Sequence, residues 1–302
     1  MESLKHLQHS NSANPSNPGL VVGVDIGGSH ITAALINIDS REVETSTWSR
    51  QAVDAAGAAD AIIESWVHVI GGCFAIAGIP PTFIGIAMPG PFDYENGISL
   101  MKEQGKFKSL YGMNVRELLA EKLNMPGSNI RFSNDAACFL QGELFNGAGR
   151  EVQRAIGLTL GTGFGSAYAE DGIAVDADLW CAAFKDGIAE DHFSNNGLVR
   201  KYHELSGNHI PGARELAAIA LHDPLADHVF KQFGAELAEF LIPVIEEREA
   251  DLLVIGGNIA KAFPLFSPYL RRHLKKDVVV SETLLGENAA LIGAASMWAN
   301  YR

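Results

Sequence analysis

Cysteine is scarce in this chain: three in 302 residues, at positions 73, 138 and 181. They lie far apart with no CxxC pairing, which offers neither a disulfide framework nor a compact zinc site and leaves the cytosol as the default compartment. Positive charge is also short. Lys and Arg total 23 against 36 Asp and Glu, a formal net charge of -13, and no basic cluster is large enough to offset the repulsion from phosphate backbones or anionic lipid. Nucleic acid and membrane are therefore not expected partners. A small polyphosphate such as ATP is not excluded, because glycine-rich backbone and magnesium supply positive potential locally.

Long apolar runs are missing as well. The uncharged stretch 69–91 is broken by Pro80, Pro81 and Pro89 and reads as a helix end, a loop and a buried strand. The first 19 residues are polar, rich in Asn and Ser, and carry no apolar leader core, so a disordered tail is expected there. Neither GxxxxGK[ST] nor GxGxxG occurs at the glycine turns, which excludes the two commonest single-turn nucleotide motifs.

What is present is an ordinary globular chain, 47% hydrophobic, long enough for two domains or one large one. Strands are predicted over 20–26 and 31–38 and in "FIGIAM", "NIRF", "AIGLTL" and "DLLVIG". Amphipathic helices are predicted around 62–70, after the capping pair Asn114 and Glu117, after a polar break at 133–135, over 225–245 with a kink at Pro243, and at the C-terminal end. Strands and helices joined by glycine turns make this an α/β protein.

Two of those turns resemble each other. Aligning Gly23 with Gly157 lays "VVGVDIGGSHITAAL" over "AIGLTLGTGFGSAYA", with Gly27 over Gly161 and Ala33 over Ala167. Paired hairpins suggest two similarly built domains. The glycine tips either make tight hairpins only or bring backbone N–H groups close to an anion, and two facing tips would grip a polyphosphate from both sides. Asp25 bears on that choice. A carboxylate in an apolar strand costs several kcal/mol if unpaired, and either magnesium on substrate phosphates or neighbouring backbone would compensate it.

The motifs "GVDIGGSHITAAL", "MPGPFDYENG", "NDAACFLQGE", "LTLGTGFGSAYAEDG", "VIGGNIA" and "LGENAALIGAA" resemble, in order and approximate spacing, those of the ROK family of sugar kinases and repressors, from about residue 20 to the C-terminus. That family belongs with the actin-like ATPases and hexokinases. The resemblance implies two domains of the actin-like (ribonuclease H-like) type facing a central cleft: a smaller one of residues 20–131 with 289–302, and a larger one of 132–288. It also implies ATP and Mg²⁺ as cofactors and a homodimer as a common state.

By the same resemblance, Asp25, Gly27, Gly28 and Ser29 match a first phosphate motif, with His30 replacing a common lysine. Gly161, Thr162 and Gly163 match the second, and Gly256, Gly257 and Asn258 the adenosine motif. Gly90 falls among the sugar-binding positions. Asn134 and Asp135 match the sugar-binding pair whose aspartate is the catalytic base, although on the residues alone they also read as a helix cap. The family's Glu-x-Gly-His element and cysteine-rich zinc segment are replaced by "DADLWCAAFKDGIAEDHFSNNGLVRKY". Glu190 matches the glutamate that follows the zinc segment, and Asp178 stands near the first glutamate, with Cys181 in place of the histidine. His192, His203 and His209 form no recognisable metal set, so no zinc is expected. The reading is a hexose or N-acyl hexosamine kinase with Asp135 as base. A sugar sensor without turnover and an actin-like ATPase acting on a protein are the rival classes.

Overall fold

The computed structural model describes residues 19–274 and 278–299. The tail expected over 1–19 lies outside them except for Gly19, as do residues 300–302 of the expected C-terminal segment.

The first half of the chain forms β1 (Leu20–Ile26), β2 (His30–Asn37), β3 (Glu42–Val43), β4 (Ser49–Ala52), α1 (Ala59–Ala77) and β5 (Ile84–Met88). A small hairpin, β6 (Phe92–Asp93) and β7 (Ile98–Ser99), leads to α2 (Val115–Leu123), β8 (Ile130–Asn134) and α3 (Asp135–Asn146). The main strands order as β3-β2-β1-β5-β8, with β4 also on β2. β1 is antiparallel to β2 but parallel to β5, which is parallel to β8. β5 is buried throughout, as a central strand covered on both faces must be. α1 is long and apolar enough to cross a membrane, yet Ile62, Ile63, Trp66, Val69, Ile70, Cys73 and Phe74 are buried in the core of this half.

The second half repeats the plan. β9 (Ala155–Leu160), β10 (Phe164–Glu170) and β11 (Ile173–Asp176) are followed by an insertion of β12 (Ala183–Phe184), β13 (Gly187–Ile188), α4 (Ala189–Phe193), α5 (Asn195–Ser206) and α6 (Ala213–Ile219). Then come α7 (Pro224–Glu247), β14 (Leu252–Gly256), α8 (Phe263–His273), β15 (Val279–Glu282) and α9 (Ala289–Ser296). The sheet order is β11-β10-β9-β14-β15, with the same sequence of antiparallel and parallel pairings as the first.

The register corrects one detail of the hairpin alignment. Ile26 pairs with Ile31 around a four-residue tip, whereas Leu160 pairs with Phe164 around three residues. The second arm is therefore shifted by one: Val24 faces Ala33, its counterpart Leu158 faces Ser166, and Ala33 corresponds to Ser166 instead of Ala167.

Two further expectations change. No loop separates "NIRF" from its helix, because β8 runs through Asn134 and α3 starts at Asp135. The expected domain boundary at 131–132 thus falls inside β8, where Ser133 and Asn134 still pair with Ala87 and Met88. The helix predicted over 225–245 is α7, which runs to Glu247 with Pro243 inside it.

α3 and α9 are exchanged between the halves. α3 leaves the first sheet but lies on β9, β10 and β11; α9 leaves the second sheet but lies on β1 and β5. The two helices cross at glycines: a Cβ on Gly293 would stand 1.8 Å from the Cys138 carbonyl oxygen, and one on Gly142 1.9 Å from that of Ala289.

Candidate functional site

Both glycine tips open onto the space between the sheets, where two cavities meet. The larger, about 1040 Å³, is bordered by Gly90, Tyr94, Lys106, the second tip and Glu190. The smaller, about 560 Å³, is bordered by Asp25, Gly27, Ser29, Arg50 and the 282–287 loop. Asp135, Thr159, Gly257 and Asn258 border both. Asp135 therefore stands at the junction of the two compartments.

Its position follows from the strand-to-helix junction. Asn134, buried at the end of β8, caps α3 by accepting from the Ala137 N–H at 3.0 Å, and Asp135 Oδ1 accepts from the Ala136 N–H at 2.9 Å. The capping reading is thus realised, and the cap itself aims the Asp135 carboxylate into the cleft. Asn134 Nδ2 also donates to the Tyr94 hydroxyl at 3.4 Å, which donates to the Met88 carbonyl at 3.1 Å. That chain of contacts ties the junction to the loop containing Gly90.

At each tip one amide closes the turn: the Gly27 N–H donates to the His30 carbonyl at 2.9 Å and the Gly161 N–H to that of Gly163 at 3.0 Å. Among the described residues the amides of Gly28, Ser29, Thr162 and Gly163 have no hydrogen-bond partner. Such donors are suited to phosphate oxygens. Ser29 Oγ lies 2.9 Å from His30 Nδ1.

Two carboxylates face this space with too little compensation. Burial, with the charge of Asp135 nearby, pushes Asp25 up to about 7 against the opposing pull of Arg50. Burial also raises Asp135, opposed most by the Lys106 ammonium. Raised carboxylates at one junction are poised either for a proton or for a cation. The hard oxygen donors of Asp25 suit Mg²⁺ bound to phosphate, directly or through water.

The other expected positions divide. Gly257, with φ 85°, approaches Leu160 so closely that a Cβ would lie 2.3 Å from its carbonyl oxygen. Gly256 borders neither cavity and packs on Phe139 instead. Glu190 Oε2 accepts from the Phe164 N–H at 3.0 Å, fixing the second tip. Asp178 borders the larger cavity, but its Oδ1 accepts from Trp180 Nε1 at 2.6 Å. His192 and Phe193 lie against Phe184, which also packs on Phe240, so an aromatic cluster occupies the altered segment.

Sequence reasoning missed Arg50, Tyr94, Lys106, Thr159 and Asp176, all of which border the cleft. Tyr94 and Thr159 lay inside quoted motifs and Asp176 opens the replaced segment; Arg50 and Lys106 lie outside any recognisable pattern. Asp176 is raised by burial and by the neighbouring Asp178 and Asp135. Glu143, fully buried, was quoted without a role. Its carboxylate accepts from the Thr283 hydroxyl, from the Leu285 N–H at 3.0 Å, from the Leu284 N–H at 3.3 Å and from the Ala148 N–H at 2.8 Å. It thereby holds the loop that walls the smaller cavity.

Comparison with known proteins gives a match to the model of the ROK family over residues 21–178 and 173–301. The glucokinase of Thermotoga maritima is 26% identical over 318 residues, covering 92% of this chain and 96% of that protein. N-acetylgalactosamine kinase AgaK of Shewanella sp. is 24% identical over 209 residues, 59% of this chain and 63% of its own length. Among solved structures, a ROK family glucokinase from Streptomyces griseus in complex with glucose and AMPPNP superposes with a TM-score of 0.74 at 20% identity, covering 93% of this chain and 99% of that one.

Proposed function

The chain belongs to the ROK family, and from that membership we propose that it is an ATP-dependent carbohydrate kinase acting on a hexose of the glucose or N-acyl hexosamine type. The observation that supports this most is Asp135, a carboxylate at the junction of a phosphate-suited compartment and a larger cavity. In this reading the chain forms two domains in the cytosol that meet at Asp135, and the sugar occupies the larger compartment near Gly90, Asn134, Asp178 and Glu190. The polyphosphate of ATP runs between the two tips, towards Gly257 and Asn258.

Asp135 then accepts the proton of the sugar hydroxyl as its oxygen attacks the γ-phosphorus. The free amides of Gly28, Ser29, Thr162 and Gly163 stabilise the equatorial oxygens. Asp25 is the residue suited to hold Mg²⁺, directly or through water, and that ion supplies neutralising charge on the phosphates when bound. The connection from β8 into α3 without a loop keeps the base from drifting relative to either tip.

The test is ADP release from MgATP across hexoses, amino sugars and N-acyl sugars, with Asp135→Asn in parallel. Stimulation by one sugar is expected, with the variant slower by about 10²-fold or more and still folded. The engagement of Asp178 by Trp180 favours one second reading, a sugar-binding protein without turnover. A sugar that raises Tm without ADP release would select that reading.

A further inference from the structure

The first glycine tip carries His30 where a permanent cation would complete a phosphate site, yet a cation reaches the same tip from elsewhere in the chain. Of the lysines at 102, 106 and 108, Lys102 and Lys108 are exposed, whereas Lys106 is half-buried and borders the larger cavity together with Asp135, Thr162 and Gly163. Its Cδ lies 3.4 Å from the position a Cβ would take on Gly28. The lysine stem therefore rests on the tip whose amides are free. Among the described residues no carboxylate lies within ion-pair distance of its Nζ.

The backbone holds Lys106 in this direction at some cost. Phe107 has φ 56°, a left-handed conformation that non-glycine residues adopt rarely and only where the surroundings impose it. The anchor is strong: Phe107 is fully buried, its ring meets Trp66 edge-on at 5.2 Å, and its N–H donates to the Ala55 carbonyl at 2.7 Å. Two residues on, Ser109 Oγ donates to the Gly57 carbonyl at 2.8 Å. A strained residue wedged into the core beside a half-buried lysine in a cleft is the pattern of a presented side chain.

We propose that Lys106 is a further catalytic residue, whose ammonium contacts an oxygen of the phosphoryl group as it passes between nucleotide and acceptor. This rests on the kinase reading above. In the step, the bond from γ-phosphorus to the bridging oxygen of ADP breaks and takes its electron pair to ADP. A bond from the acceptor hydroxyl oxygen to phosphorus forms, and the hydroxyl proton passes to Asp135. Lys106 keeps its proton throughout and stabilises negative charge on the transferring oxygens. Its separate origin, on a loop of the first half, lets that half contribute a charge to the site independently of the amides.

The experiment compares wild type, Lys106→Met and Lys106→Arg. For a sugar that stimulates wild-type ADP release, Lys106→Met should lower kcat by about 10²–10³-fold with little change in the KM for sugar, and Lys106→Arg should recover part of the loss. Binding of MgADP with aluminium fluoride, a mimic of the transferring group, is measured by calorimetry in all three. It should weaken at least about tenfold in Lys106→Met while MgADP alone binds equally. Unchanged kcat, or equal affinity for the mimic, overturns the assignment of Lys106 and leaves the kinase reading standing. Absence of any MgADP binding by the wild type overturns the kinase reading itself. A urea midpoint lowered in Lys106→Met with both catalytic readouts intact would make the residue structural and also overturn the proposal.

Discussion

Asp25 is a carboxylate that folding makes reluctant to ionise, and this has a measurable sign. Its pKa rises from 3.8 to about 7, so between those values the folded protein binds more protons than the unfolded chain. Stability from this group is fully present below about 4 and is lost as pH rises through about 7. Without nucleotide or magnesium, Asp25→Asn should therefore raise Tm at pH 8 and by much less at pH 5, while removing sugar-stimulated ADP release. A Tm gain equal at both pH values would contradict the shift. Glu143 matters through hydrogen bonding, because four donors depend on its carboxylate. Glu143→Ala should destabilise by about 3 kcal/mol or more in urea unfolding. Glu143→Gln, which offers one acceptor oxygen in place of two, should raise the KM for ATP well before that for sugar. Residues of this kind were only partly legible in the sequence. Asp25 announced itself as a charge inside an apolar strand. Lys106 and Glu143 did not, because each acts on a segment remote in sequence: Lys106 on Gly28, and Glu143 on the loop 140 residues downstream.

The elements themselves were readable where one strong local rule applied. Apolar runs bounded by glycine gave the central strands, and the Asn114 side chain accepts from the Glu117 N–H at 3.1 Å, as the capping pair predicted. Local rules failed where two elements abut or a neighbour decides. Polar residues 133–135 looked like a loop, yet Asn134 serves both as the last residue of β8 and as the cap of α3. The hairpin alignment slipped by one because tip length, four residues against three, is set by backbone pairing and not by the glycines. The exchanged pair α3 and α9 was invisible for a different reason: α9 is buried along nearly all its length, so no amphipathic stripe tells which sheet it covers. Its crossing with α3 should tolerate no added side chain. Gly293→Val would push a Cβ into the Cys138 carbonyl and separate the helices, and a loss of about 3 kcal/mol or more is expected. Because the pair covers both sheets, unfolding should remain a single transition in urea. Two separated transitions would mean that the halves are held together elsewhere.

At the scale of the whole molecule, duplication explains why the site lies where it does. Each half places a glycine tip at the end of its first strand, and two halves of like topology facing one another bring the tips to a shared cleft. The exchanged helices pack on each other between the two sheets and so join the halves, and Asp135 begins one of them. Rotation of one half against the other about that pair would move the tips together while carrying the base only a short way. Closure of this kind excludes water from the γ-phosphate, which would otherwise be hydrolysed. The repeat was legible from the hairpins because glycine at a close backbone approach cannot be replaced cheaply. The insertion between β11 and α7 was not, since its Phe184 and Phe193 pack on Phe240 of α7, joining residues with no shared pattern. The consequence can be measured in solution. Adding an accepted sugar together with MgADP should lower the radius of gyration in small-angle scattering more than either does alone. Sugar-free hydrolysis of ATP should run far below the rate of transfer. A radius of gyration that stays the same with both ligands bound, in a protein that still transfers phosphate, would mean that the two tips already stand at their working distance and that water is kept out by the loops alone.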